Sequence, residues 1–202
     1  MQGRPLGQIV VLNGPPRSGK SSIVTVIQDA FEGVWMNLGV DVFARQVTPK
    51  RYQPGMGLRP GEEDHVVYSL QPALYAAFYG SIAAHSRAGL NVVADVGHHR
   101  REILVDCARR LERLPVLFVG VHCPIEVIMQ RRNASPAGHY ATGSVEDPPP
   151  PVRRWQTQVH VPGIYDLEVD TSVLSPAECA EEIRRRLNDG PGTAFERLQV
   201  TD

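Results

Sequence analysis

The chain has 202 residues, of which 42% are hydrophobic and 21% charged, a composition that suits one globular domain with a full core. Its 21 Lys and Arg against 22 Asp and Glu leave a net charge of −1, which weighs against a general nucleic-acid binder. No apolar run reaches the length of a membrane span, the N-terminus lacks a secretory layout, and three scattered cysteines without metal spacing suit free thiols in a reducing cytoplasm.

Residues 8–13 form a short β-branched apolar run, read as a buried strand that stops in a Gly/Pro/Ser-rich turn. Ile23, Val26, Ile27, Ala30 and Phe31 then recur at helical spacing across residues 19–32. Residues 35–40 predict a second strand ending at Asp41. Residues 48–60, rich in Pro, Gly and basic side chains, predict a long loop of the kind that is functional or disordered. A long helix is expected over residues 65–87, stopped by Gly89. Residues 91–95 predict a third strand ending at Asp95, followed by a charged helix over 100–114. Residues 115–121 are almost wholly apolar, as in a strand covered on both faces. A helix over 124–132 begins with Pro at its first turn.

Residues 134–151 end in four successive prolines, Pro148 to Pro151, and predict a mobile arm, reaching to about residue 155, that covers the site. Residues 167–169 give a short fifth strand. Ser175, Pro176 and Glu178 make a capping box with Pro at N1, opening a helix through Leu187; residues 189–202 are expected to fray. Strands alternating with helices predict a single α/β domain with a mainly parallel sheet.

The run Gly14-Pro15-Pro16-Arg17-Ser18-Gly19-Lys20-Ser21 fits G-x-x-x-x-G-K-[ST] at every fixed position, between a strand and a helix. Such a loop curls so that backbone N–H groups and a helix N-terminus meet phosphate oxygens. Residues 14–22, Ser22 included, are therefore expected to bind ATP. Lys20 would reach the β- and γ-phosphates and Ser21 would ligate Mg²⁺. Asp95, at a strand end, suits the metal; a capping role is the alternative. Asp41, beyond the second strand, could take a proton from an acceptor hydroxyl or could cap a turn.

Arg131 suits neutralisation of the transferring phosphoryl group, with a solvated helix end as the alternative; Arg132, Arg153 and Arg154 are weaker candidates. His98 and His99 read as exposed loop histidines, and Tyr68, Tyr75 and Tyr79 as core or groove lining.

Several stretches together resemble the chloramphenicol phosphotransferase-like family of P-loop kinases, over about residues 9–187. The segment from Trp35 ends in Gly39-Val40-Asp41, similar to the family's G-V-D, and the resemblance implies that Asp41 is the base that activates the acceptor hydroxyl. Ala88-Gly89-Leu90-Asn91-Val92-Val93 leads into Asp95. Residues 118–123 resemble its V-G-V-x-C strand. Val159-His160 and the seven residues from Tyr165 to Thr171 resemble its V-H and Y-D-x-E-V-D-T. The family implies a three-layer α/β/α P-loop kinase sheet of order 2-3-1-4-5, with ATP and Mg²⁺. Its arm often carries R-E-x-x-R-G-D-R; here Arg131 matches the first arginine and the later ones are absent. The leading functional expectation is transfer of the γ-phosphoryl group to a small hydroxylated antibiotic or metabolite. A nucleoside or nucleotide kinase, and a nucleotide-binding switch without turnover, are the alternatives.

Overall fold

The computed structural model describes residues 5–135 and 142–200. The core is a five-stranded parallel sheet of order β2-β3-β1-β4-β5, comprising β1 (Ile9–Asn13), β2 (Trp35–Asn37), β3 (Asn91–Val96), β4 (Val116–His122) and β5 (Leu167–Asp170). β1 is central, paired with β3 (Leu12 opposite Asp95) and β4 (Asn13 opposite Gly120). Its five residues are all buried because both faces are covered, which explains the unbroken apolar run.

Alternate side chains of β1 enter different cores. Val10 and Leu12 pack with Ile23 and Ile27 of α1 (Lys20–Ala30) and with Cys179, Ala180 and Ile183 of the helix 176–188. Ile9 and Val11 face the opposite layer, where Phe78, Tyr79 and Ile82 meet Leu104, Cys107 and Phe195. The strand and helix order expected from the sequence is present, in a P-loop kinase arrangement.

Five expectations need correction. The second strand stops at Asn37; Leu38 still donates to the Val93 carbonyl, at 3.0 Å, and the chain then turns into α2 (Val40–Gln46). Asp41 therefore stands in the first turn of a helix, not at a strand end. The long helix, α3, is Gln71–Arg87, with Pro at its first turn; before it lie short 3₁₀ turns at Lys50–Tyr52, Gly55–Gly57 and Tyr68–Leu70. The loop through residues 48–60 is anchored: Met56 and Leu58 are buried, and the Tyr75 hydroxyl donates to the Met56 carbonyl at 3.1 Å.

After α4 (Arg101–Arg110) and α5 (Ile125–Asn133), the proline run is not all arm. Pro150 and Pro151 open α6 (Pro150–Gln158), where a missing N–H costs nothing. Positions 136–141 of the expected arm lie outside the described residues. Finally, α7 (Pro176–Asn188) is followed by a further helix, α8 (Ala194–Val200), where the sequence predicts fraying. Asp166 accepts from the N–H groups of Thr193 and Ala194 at 2.7 and 2.8 Å, and Phe195 stacks near Phe118 with ring centres 5.0 Å apart. The Ser175 capping box is formed.

Candidate active site

The carboxyl ends of the parallel strands and the loops beyond them line one cleft, of about 590 Å³. Its floor is the phosphate loop between β1 and α1. Pro16, Arg17, Gly19, Lys20, Ser21 and Ser22 line it together with Gly14, while Pro15 and Ser18 are buried behind. Arg17 and Gly19 have φ of 72° and 93°, so the backbone reverses direction on either side of Ser18. At Gly19 that left-handed conformation carries no Cβ penalty.

The Lys20 ammonium spans the loop, donating to the Gly14 and Pro15 carbonyls at 2.8 and 2.9 Å. Burial lowers its pKa, while the carboxylates of Asp95 and then Asp41 oppose that shift. Both acids thus share the electrostatic field of the phosphate-loop lysine. Ser21 donates its hydroxyl to Asp95 at 2.9 Å, so the two expected metal-side residues meet across 74 positions of sequence. A hydroxyl and a carboxylate are hard oxygen donors, a set that fits Mg²⁺ when nucleotide phosphates and waters complete it. No group of three or more His, Cys, Asp or Glu that could cage a metal occurs among the described residues.

Asp41 lines the same cleft. Its carboxylate is about 70% exposed and pairs with Arg45 one helical turn on, at 3.3 Å. Beyond it, Val40, Met56, Leu58 and Tyr75 form an apolar wall, with Arg59 at the rim. Helix α6 contributes Pro151, Val152 and Trp155 to the lining. Its Trp155 ring packs on Gly97, leaving no room for a Cβ there, and meets the His99 ring edge-on with centres 4.6 Å apart.

The arginines divide. Arg131 points its guanidinium at the Arg17 carbonyl (3.2 Å), the Thr171 hydroxyl (3.1 Å) and the Thr171 carbonyl (2.8 Å). In this arrangement it braces the phosphate loop while also lining the cleft. Arg132 is buried at the cleft wall. Arg153 pairs with Asp147, and Arg154 lies over Gly61. His98 is no exposed loop residue. It is buried, its ring nitrogen shares a hydrogen with the Tyr79 hydroxyl at 2.7 Å, and burial pushes its pKa down to about 3. Tyr75 and Tyr79 are core residues, as expected.

Sequence reasoning did not single out Trp155, named Thr171 only as the end of a matching string, and offered Arg45 only as a phosphate-accepting residue of a nucleotide kinase. It also missed a polar network under the phosphate loop. Asn13 donates to the Tyr165 hydroxyl at 2.8 Å, which meets His160 at 2.8 Å; His160 stacks on His122 at 4.0 Å, and His122 meets Glu168 at 2.7 Å. The stretch from Tyr165 to Thr171 carried the signal without its reason.

Among solved structures the fold is similar to that of the Mycobacterium tuberculosis APS kinase CysC in complex with AMPPNP and APS, with a TM-score of 0.64 at 15% identity over 91% of this chain and 99% of that one. It is also similar to a shikimate kinase from Aquifex aeolicus, with a TM-score of 0.59 at 16% identity over 90% and 96% of the two chains. A Mycobacterium tuberculosis H37Rv protein that carries the name "Putative O-phosphotransferase Rv2636" is 29% identical over 98% of this chain and 91% of its own length. At these identities the structural likenesses show the fold alone. The family model described as "Chloramphenicol phosphotransferase-like protein" matches residues 7–188, and the chain belongs to that family.

Proposed function

We propose that the protein transfers the γ-phosphoryl group of ATP to a hydroxyl of a small molecule. The observation that carries this reading is the sharing of one cleft by Lys20, the Ser21–Asp95 pair and Asp41, with both acids acting on the lysine's charge. The loop of residues 14–22 would hold the triphosphate through its N–H groups, and Lys20 would leave the Gly14 and Pro15 carbonyls for the outer phosphates. Ser21 and Asp95 would hold Mg²⁺, which supplies charge neutralisation for the β- and γ-oxygens.

In the transfer, the acceptor oxygen bonds to the γ-phosphorus, the bond to the departing ADP oxygen breaks, and the hydroxyl proton passes to Asp41. The exposed carboxylate can meet a bound acceptor without first breaking a buried network. The apolar wall of Val40, Met56, Leu58 and Tyr75 would seat the acceptor's body, and Trp155 would exclude water, the competing acceptor.

The test is a mass-spectrometric screen for products carrying an added phosphate, with ATP and Mg²⁺, across antibiotics, sugars, nucleosides and nucleotides. The expected result is at least one phosphorylated hydroxyl compound, lost with Lys20→Ala. Nucleotide binding without any product across the panel would defeat the reading. Arg45 and Arg59 on the acceptor side also favour a nucleoside or nucleotide acceptor, and the same panel separates that possibility.

A further inference from the structure

The phosphate loop carries two positive-φ residues, and its usefulness depends on which way its peptide planes face. In a trans peptide, the C=O of one residue and the N–H of the next point in opposite directions. Fixing the Ser18 carbonyl therefore fixes the Gly19 N–H on the other side of the same plane. The Ser18 carbonyl accepts from the Thr171 hydroxyl at 2.7 Å, across 153 positions of sequence. The neighbouring Arg17 carbonyl accepts from Arg131 at 3.2 Å.

Thr171 cannot swing freely. Its own N–H donates to the His122 carbonyl at the end of β4, at 3.1 Å. Its carbonyl and hydroxyl oxygen both accept from Arg131, at 2.8 and 3.1 Å. Because the hydroxyl oxygen accepts from Arg131, its one hydrogen is left to point at Ser18; the alternative His122 carbonyl is farther, at 3.4 Å. Arg17 closes the ring by donating its side chain to the Arg131 carbonyl. A Cβ at Gly19 would lie 3.4 Å from the Thr171 methyl and 3.6 Å from the Arg131 guanidinium, so the clasp packs directly against the loop.

We infer that Thr171 is a positioning residue: oriented by Arg131, its hydroxyl locks the Ser18–Gly19 peptide plane so that the Gly19 N–H is preset for a nucleotide phosphate. Arg131, which also lines the cleft, acts on the loop through this clasp. The inference rests on the phosphate-loop part of the proposed function and assigns a task to the last residue of the Y-D-x-E-V-D-T stretch.

The test measures affinity for AMPPNP with Mg²⁺ by calorimetry, which needs no acceptor. Thr171→Val should weaken binding about 10-fold, the loss of one net hydrogen bond with its oriented amide, while Thr171→Ser stays within about 2-fold. Arg131→Lys cannot bridge the Arg17 and Thr171 carbonyls together, and should also weaken binding. Combined with Thr171→Val it should add little, because the two act as one unit. Should the valine variant not fold by circular dichroism, Arg131→Lys carries the same expectation.

Wild-type affinity in Thr171→Val, or equal losses in the serine and valine variants, would overturn the inference. So would additive losses in the double variant. A wild-type protein that binds AMPPNP but phosphorylates nothing leaves the clasp standing and removes the kinase reading; one that binds no nucleotide removes both.

Discussion

Gly39→Ala isolates the metal-side carboxylate without touching it. A methyl at residue 39 would lie 1.8 Å from one Asp95 carboxylate oxygen and 3.0 Å from its carbon. An ordinary carbon–oxygen contact is about 3.3 Å, so the oxygen must retreat by about 1.5 Å. The backbone cannot absorb the conflict through strain, because Gly39 has φ −71° and ψ 157°, a conformation any residue adopts. Asp95 must therefore rotate, and its 2.9 Å bond from Ser21 breaks. That bond is solvent-exposed, so the stability cost is about 1 kcal/mol, a fall of roughly 2–4 °C in melting temperature. Misplacing a group at a reacting site by more than 1 Å costs on the order of 100-fold in turnover. The assay is phosphoryl transfer as a function of Mg²⁺ concentration, beside a thermal melt. A weakened Mg²⁺ dependence and about 100-fold slower transfer in a folded protein are expected. Transfer within 2-fold of wild type, with unchanged Mg²⁺ dependence, would refute the placement of Asp95 at the metal.

Two further predictions concern stability. His98 has its pKa lowered by burial to about 3 in the folded state, against about 6.5 when unfolded, so the unfolded chain binds more protons as pH falls. Its contribution is fully present above pH 6.5 and is lost progressively below it. Going from pH 6.5 to 5 should cost roughly 1.5 kcal/mol in urea melts, and His98→Gln should flatten that slope; an unchanged slope would contradict the buried, neutral assignment. Phe195→Ala removes a ring that is 7% exposed and should cost about 3 kcal/mol, whereas a frayed tail would make it silent in the same melts.

Much of the fold was legible in the sequence, because β1 and β4 are covered on both faces and say so in unbroken apolar runs. The phosphate loop was legible because its chemistry is local: eight successive residues hold the glycines, the lysine and the serine. Helix α2 was not, since its seven residues, Val40–Gln46, are too few to show a helical period and Val40 reads as the end of the run from Trp35. What ends the strand is the turn at Leu38 and Gly39, where Gly39 donates to the Asn37 side chain at 3.1 Å. The start of α6 was hidden because a proline run signals irregular chain, although two of its prolines stand in the first turn of the helix, which tolerates them.

The site divides along the same line. Ser21 and Asp95 were found one at a time, each from its own motif, and the structure joins them. Thr171 and Trp155 act on partners far away in sequence, and nothing in their immediate neighbours announces it. The family's Y-D-x-E-V-D-T pattern was visible as a string. Its physical content lies in separate tasks: Tyr165 holds Asn13 and His160, Asp166 caps α8, Glu168 meets His122, and Thr171 reaches the phosphate loop.

The central claim is that the nucleotide held at Lys20 is used by Asp41. Asp41→Asn preserves the size of the side chain and removes its capacity to take a proton. The decisive measurement is AMPPNP affinity beside the rate of phosphoryl transfer in that variant. Affinity within about 3-fold of wild type with transfer slowed by 100-fold or more is the predicted result, the size expected for loss of a general base. Undiminished transfer in Asp41→Asn would contradict it.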